Sequence, residues 1–137
     1  MKYFFLLPLL LFYSCQEKIL NDASDIEKAK SLTEEFYQRI KDKDAGMICK
    51  NLDRNLDEKH FCRLLSVHIK EYADFKKKSI YNIETVRNGS NKSEVITYDI
   101  MLDVSYQKGK SYETLNFRKE KGSVKLVSYY FSPPKYR

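Results

Sequence analysis

The chain has 137 residues, with 25 Lys and Arg, 19 Asp and Glu, a net charge of +6, 11 Tyr, 8 Phe and no Trp. A chain of this length can bury one modest core and leaves no room for two. The high aromatic content argues against disorder. The positive charge is too mild to indicate a nucleic-acid partner.

The first residues have the order of an export signal. Lys2 is followed by an apolar run over residues 3–13, then by Ser14, Cys15 and a polar chain. A charged start, a short apolar middle and a small residue at the cleavage point are typical of a signal peptide. The apolar run has about eleven residues, whereas a helix needs about 20 to cross a bilayer. The sequence therefore predicts a cleaved signal.

The placement of Cys15 directly after Ser14 resembles the lipobox of bacterial lipoproteins. The resemblance implies that residues 1–14 are removed and that Cys15 becomes the first residue, carrying acyl chains such as palmitate. Residues 15–23 would then be the lipidated cysteine and a polar tether. Gln16 after the cysteine implies outer-membrane sorting within the cell envelope. The alternative is an ordinary cleaved signal that leaves Cys15 as a plain thiol or a disulfide partner.

Three helices are expected next. Ser24 and Glu27 match a capping box, which predicts a helix from there to about residue 41. A short second helix is expected over residues 45–52, and Asp57 is expected to cap a third. The third has the clearest helical periodicity of the chain, carried by Phe61, Leu64, Leu65, His68, Ile69 and Tyr72.

After residue 78 the apolar period changes from 3.6 to 2, which predicts strands. Four are expected, over residues 80–87, 93–106, 111–119 and 124–131, followed by a loose tail over residues 132–137. On the longest strand, apolar and polar residues alternate, which is typical of a sheet with one face in water. The apolar face consists of Ile96, Tyr98, Ile100, Leu102, Val104 and Tyr106.

Helices followed by a four-stranded antiparallel meander predict an α+β domain over residues 24–131, with the helices on one face of a curved sheet. This element order, with segments such as 36–44 and 115–126, resembles the NTF2-like (cystatin-like) superfamily. The resemblance implies a cone-shaped sheet wrapped around a long helix. A helical hairpin and meander of another family is the alternative.

The NTF2-like resemblance also implies that an enzyme of the isomerase or hydratase kind has to be considered. Asp99 and Asp103 have the opposite parity to the apolar strand face, so they are expected to point away from the cone. Acid–base catalysis needs a carboxylate or histidine with a shifted pKa in the cavity, and the strand face offers only Tyr98 and Tyr106. The residues expected at an internal pocket are Tyr37, His68, Tyr98 and Tyr106.

The preferred interpretation is therefore a non-catalytic domain that binds a small apolar ligand or an envelope protein. Whether the cone is open or filled by side chains distinguishes the two functions. An open pocket with a buried carboxylate or histidine would favour the enzyme, because those groups carry acid–base chemistry. A cone filled by side chains would favour the binding domain, and the side chains expected to fill it are Phe36, Ile40, Leu65 and Ile100.

Two cysteines remain beyond the signal. Cys49 and Cys62 either form a disulfide, as an oxidising compartment permits, or are two small buried apolar residues. With His60 and His68 they do not match the spacing of zinc sites, so neither a metal nor a cofactor is predicted.

Basic residues are expected to gather at one end of the sheet, where the first strand begins, the second turn lies and the chain ends. They are either a contact surface for anionic headgroups and polyanions or a solvated rim. The residues are Lys76, Lys77, Lys78, Lys108, Lys110, Lys135 and Arg137.

Overall fold

A computed structural model of the chain describes residues 18–89 and 93–132. These residues form an α+β fold of three helices and a five-stranded antiparallel open sheet with the strand order β1-β2-β3-β4-β5. The helices are α1 (Ala23–Lys41), α2 (Ala45–Cys49) and α3 (Glu58–Tyr72). The strands are β1 (Lys18–Leu20), β2 (Lys77–Asn88), β3 (Val95–Tyr106), β4 (Gly109–Glu120) and β5 (Ser123–Phe131). The predicted signal, Cys15 and residues 133–137 lie outside the described residues.

The prediction of four strands was wrong by one edge strand. Lys18–Leu20, expected to be part of a polar tether, pairs antiparallel with β2, with Lys18 opposite Asn88. The next residue, Asn21, is hydrogen-bonded to β2 as well. Its N–H donates to the Thr85 carbonyl and its side chain accepts from Thr85 N–H, both at 2.9 Å. All three side chains of β1 are exposed. This strand is therefore held by backbone pairing alone. Its three residues are too few to show the alternation of apolar and polar residues that predicts a strand.

Each of the three helices is preceded by an aspartate that caps it. Asp22, Asp44 and Asp57 accept a hydrogen bond from a backbone N–H two or three residues later, at 2.9, 3.1 and 3.0 Å. These bonds satisfy donors that have no partner within the helix. The predicted cap at Asp57 is confirmed. The predicted cap at Ser24 was wrong, since Ser24 lies inside α1 and its hydroxyl donates to Asp22.

The core lies between the helices and one face of the sheet. The predicted inner face of β3 is confirmed, because every second residue from Ile96 to Tyr106 is buried. From the helices, Phe36, Ile40 and Leu65 reach the same core. Leu64, expected on the apolar stripe of α3, is instead 53% exposed.

The described sheet has two register shifts, and one of them lies between Asn116 and Phe117, where β4 pairs with β5. The register between β2 and β3 shifts between Ile80 and Asn82, and Tyr81 at this bulge is exposed.

Beyond α2 the chain does not continue as a helix to residue 52 as predicted. Leu126 N–H donates to the Asn51 carbonyl at 2.7 Å, and Asp53 N–H donates to the Leu126 carbonyl at 2.8 Å. Residues 51–53 thus cover the outer edge of β5.

A partly buried ion pair connects α1 to one end of the sheet. Arg87 donates Nε to Asp25 Oδ2 at 3.1 Å and Nη2 to Asp25 Oδ1 at 2.6 Å. Its Nη1 reaches Glu94 at 3.4 Å. Burial, and next the Asp25 carboxylate, raise the pKa of Tyr98. Tyr98 is opposite Thr85, two residues along β2 from Arg87, and so lies at this end of the core.

Candidate functional site: a buried carboxyl cluster and an apolar cleft

Glu113 is a buried carboxyl residue on the inner face of β4. Its side chain lies on the same face as Leu115 and Phe117, and the residue is 1% exposed. Burial raises the pKa of Glu113 to about 7. Its carboxyl group therefore loses its proton at a higher pH than an exposed glutamate does.

Two tyrosines from the neighbouring strands hydrogen-bond to Glu113. The Tyr106 hydroxyl on β3 lies 3.0 Å from both carboxyl oxygens, and the Tyr129 hydroxyl on β5 donates to Oε1. Both bonds favour the ionised form and oppose part of the effect of burial on the Glu113 pKa. The Tyr37 hydroxyl of α1 is buried beside the same carboxyl group. Burial, and then the Glu113 charge, raise the pKa of Tyr37.

His68 of α3 extends this cluster. Its Nε2 lies 3.0 Å from the Tyr129 hydroxyl. The ring packs against Phe131, with centroids 4.3 Å apart, and stacks on Tyr72 at 5.3 Å. Burial lowers the pKa of His68 to about 4, so the imidazole is neutral at pH 7. The Tyr129 hydroxyl therefore bridges a carboxyl group and a neutral imidazole.

These three groups can hold their protons in two arrangements. When Glu113 is ionised, Tyr129 donates to it and can accept from a proton on His68 Nε2. When Glu113 is protonated, it can donate to Tyr129, which then donates to an unprotonated Nε2. Carboxyl, phenol and imidazole are the groups used in acid–base catalysis. Here the carboxyl is enclosed by the core.

The predicted internal pocket is divided by the fold. Tyr37 and Tyr106 lie against Glu113, and His68 is linked to it through Tyr129, whereas Tyr98 is not part of this cluster. Tyr98 is opposite Phe117, four residues along β4 from Glu113, which is about 13 Å at the rise of a strand.

The inner face of β3 carries Tyr98 and Tyr106 as expected, but the neighbouring strands add a carboxyl group and another tyrosine that were not predicted. Asp99 and Asp103 do lie on the outer face of β3, but Glu113 enters the core from β4 and Tyr129 from β5. The signal was present in the sequence. Two apolar residues, Leu115 and Phe117, follow Glu113 at a spacing of two and fix its parity inward.

A cleft of about 240 Å³ opens between α1, α2 and the adjoining ends of β4 and β5. The apolar part of its lining is Leu32, Phe36, Met47, Ile48, Phe117, Val124 and Leu126. The polar part is Lys28, Glu35, Arg39 and Asn51, with Arg39 and Glu35 in an ion pair at 2.8 Å. In the part of the chain that the structure describes, this lining includes none of the four predicted pocket residues.

Phe36 stands between the cleft and the carboxyl cluster. It lines the cleft, and its ring centroid lies 4.9 Å from that of Tyr129 and 5.3 Å from that of Tyr37. An occupant of the cleft would therefore contact Phe36 and would be kept from Glu113 by its ring.

Cys49 and Cys62 are joined by a disulfide between α2 and α3, with Cα atoms 6.0 Å apart. Because α2 carries Met47 and Ile48, the bond fastens one wall of the cleft to the longer helix. His60 is exposed on the first turn of α3. Within residues 18–89 and 93–132, no group of three or more His, Cys, Asp or Glu residues is placed to hold a metal ion.

Comparison of the chain with protein-family models, curated proteins and solved structures finds no match. Among the described residues, no helix combines the length and the apolar character needed to cross a membrane. Function therefore has to be inferred from the carboxyl cluster, the cleft and the N-terminal sequence.

The basic residues predicted at one end of the sheet are brought together in part. Lys77 and Lys110 lie on either side of Ser105 across three strands, and both are exposed. Lys76 is exposed beside them, and its N–H donates to the Ser105 carbonyl at 2.7 Å. Lys108 lies in the turn between β3 and β4.

Lys78 has a different environment. Its side chain is opposite Val104 on the helix-covered face and forms an ion pair with Glu34 of α1 at 2.9 Å. Lys135 and Arg137 lie outside the described residues. The exposed part of this basic end is therefore formed by Lys76, Lys77, Lys108 and Lys110.

Proposed function

We propose that this chain is a lipid-anchored lipoprotein of the bacterial cell envelope whose domain binds a small apolar ligand without changing it chemically. The anchor is Cys15, and the outer membrane is the proposed location. The proposal rests on the signal-like order of residues 1–15 and on the cleft between α1 and α2. An NTF2-like cone is the proposed form of the sheet, supported by helices that cover one face of an antiparallel meander.

The cleft is the observation that carries the binding function. Ligand sites are mostly apolar with a few polar groups, and drug-sized molecules occupy about 300–1,000 Å³. The cleft has about 240 Å³, an apolar lining and charged residues that include Lys28 and Arg39. It therefore suits a ligand somewhat smaller than a drug, with one polar end.

The interior of the domain supports the same choice. Phe36, Ile40, Leu65 and Ile100 were expected to fill the cone of a binding domain, and all four are buried. The space between the helices and the sheet is thus occupied by side chains, and the cleft lies at its border.

We expect Met47→Glu to weaken binding of the fluorescent apolar anion 1-anilinonaphthalene-8-sulfonate at least about tenfold. The new carboxylate would lie in an apolar wall, where burying an unpaired charge is unfavourable. The matched control is Val67→Glu, which places the same charge on an exposed position of α3. A fluorescence titration measures both affinities, and circular dichroism checks folding. Equal loss in the two variants would contradict binding in the cleft.

The anchor has its own test. Mass spectrometry of the N-terminal peptide from isolated membranes is expected to find Cys15 as the first residue with acyl chains attached. One chain binds a membrane only marginally and two or more bind it firmly. An intact signal, or an unmodified Cys15, would remove the anchor from the proposal.

A second candidate is an enzyme of the isomerase or hydratase kind, and the observation that favours it is Glu113. A carboxyl with a pKa of about 7 beside Tyr129 and His68 is suited to proton transfer at neutral pH. In this case the ligand would have to reach Glu113 past Phe36. Glu113→Gln would then change ligand affinity, whereas binding in the cleft alone predicts no change.

A further inference from the structure

The described chain begins at the end of the sheet where a single row of paired residues crosses all five strands. This row is Lys18, Asn88, Val95, Glu120 and Ser123. β1 runs from this row toward the middle of the sheet, because Lys18 is opposite Asn88 and Leu20 is opposite Val86. Lys18, the first residue of β1, is therefore the member of this row that is nearest to Cys15 in the sequence. We call the row, the turn over residues 120–123 and the adjoining Arg54 and Lys125 the incoming end.

The incoming end carries an excess of positive charge. A groove beside the β4–β5 turn is lined by the basic residues Arg54, Arg118, Lys121 and Lys125 and by the acidic residues Asp53 and Glu120. Glu120 is already paired with Arg118 at 3.3 Å. Lys121 and Arg54 are exposed, as is Lys18 at the opposite edge of the same row.

Only two residues separate Cys15 from Lys18. Three residue steps of fully extended chain span at most about 11 Å. A lipid on Cys15 would therefore hold the incoming end close to the membrane that contains the lipid. At this distance a basic side chain can interact with the phosphate groups of the headgroups.

We propose that the incoming end lies against an anionic phospholipid surface, with Lys18, Lys121 and Lys125 facing the headgroup phosphates. This inference rests on the proposed lipid anchor at Cys15. It also assigns the opposite end of the sheet to the side away from the membrane. Lys77 and Lys110 flank Ser105, ten residues along β3 from Val95, which is about 33 Å. That is several times the screening length of about 8 Å at physiological salt.

The test uses vesicles and the chain from Gln16 to Arg137. Within residues 18–89 and 93–132, every buried residue lies between Asp25 and Leu126, so this chain keeps the described core but lacks Cys15. We expect it to sediment with vesicles of phosphatidylcholine and phosphatidylglycerol at low salt, and not with phosphatidylcholine alone. The double variant Lys121→Gln with Lys125→Gln should weaken this partitioning about 30-fold. Each basic charge near the surface contributes about 1 kcal/mol, which is about a factor of five in the partition coefficient.

The matched control removes two charges from the other end, by Lys77→Gln with Lys110→Gln, and should change partitioning less than about twofold. Amide hydrogen exchange provides a second measurement on the full lipidated protein in vesicles. Exchange over residues 120–123 should be slower in anionic than in neutral vesicles, with residues 106–109 unaffected. Equal recovery with both kinds of vesicle, or a larger loss in the control variant, would overturn the proposal. A missing lipid would instead refute the anchor and leave these sedimentation results unchanged.

Discussion

Glu113→Gln is expected to raise the free energy of unfolding by about 3 kcal/mol at pH 8 and to leave it nearly unchanged at pH 4. The pKa of Glu113 is about 7 in the folded chain and 4.5 in a model compound. A carboxyl with a raised pKa contributes stability that is complete below pH 4.5 and lost as the pH rises to about 7, by about 1.4 kcal/mol for each pKa unit. Glutamine is neutral at every pH and can still hydrogen-bond to Tyr106 and Tyr129.

Urea unfolding at intervals from pH 4 to pH 8 measures this difference. The matched control is Glu84→Gln, which removes an exposed carboxylate from β2 and should show no comparable rise. A stability difference between Glu113→Gln and wild type that stays constant with pH would contradict the raised pKa.

His68 makes the wild-type behaviour less simple. Burial lowers its pKa from 6.5 to about 4, so its contribution to stability is complete above pH 6.5 and is lost as the pH falls to about 4. Glu113 and His68 thus act in opposite directions over nearly the same range. We expect the stability contributed by the pair to vary little with pH in the wild type. In Glu113→Gln, the free energy of unfolding should therefore fall toward acid pH, because the contribution of His68 is no longer offset.

Replacing both Cys49 and Cys62 by alanine is expected to lower the free energy of unfolding by about 3 kcal/mol. Closing a loop of this size restricts the unfolded chain by roughly that amount, and the two residues are 13 apart in sequence. Because α2 has only five residues, its position depends on this link, so the double variant should also bind the fluorescent anion more weakly.

Reductant provides the control for this experiment. It should destabilise the wild type by the same amount and have no effect on the double alanine variant. Alkylation of unreduced protein should label neither Cys49 nor Cys62. Two labelled thiols, or a wild type indifferent to reductant, would contradict the role given to the bond.

The parts of the fold that could be predicted are those in which the residue pattern of a single helix or strand shows which of its faces is buried. Six apolar residues at strict alternation place one face of β3 in the core without reference to any other strand. For Glu113 two signals conflict, since the spacing to Leu115 and Phe117 indicates an inward position but a charged residue is not expected there. Its partners Tyr129 and His68 come from β5 and α3, and such contacts are set only when distant elements pack together.

The cleft could not be predicted for a related reason. Its walls come from α1, α2, β4 and β5, and its shape depends on where α2 ends. The sequence favoured a helix to residue 52, but α2 ends at Cys49 and residues 51–53 pair with Leu126 of β5. Pairing with a sheet edge therefore prevailed over helical propensity, which is a weak preference in any short helix.

The uneven length of the edge strands has a consequence for self-association. β1 is three residues long and pairs with only the last three residues of β2, which leaves residues 77–84 as a strand edge in the described part of the chain. An open edge can recruit the strand of another molecule, and lysines and bulges are common deterrents. β2 has both, with Lys77 and Lys78 at its start and the bulge at Tyr81. These residues would keep copies of the chain apart at high concentration.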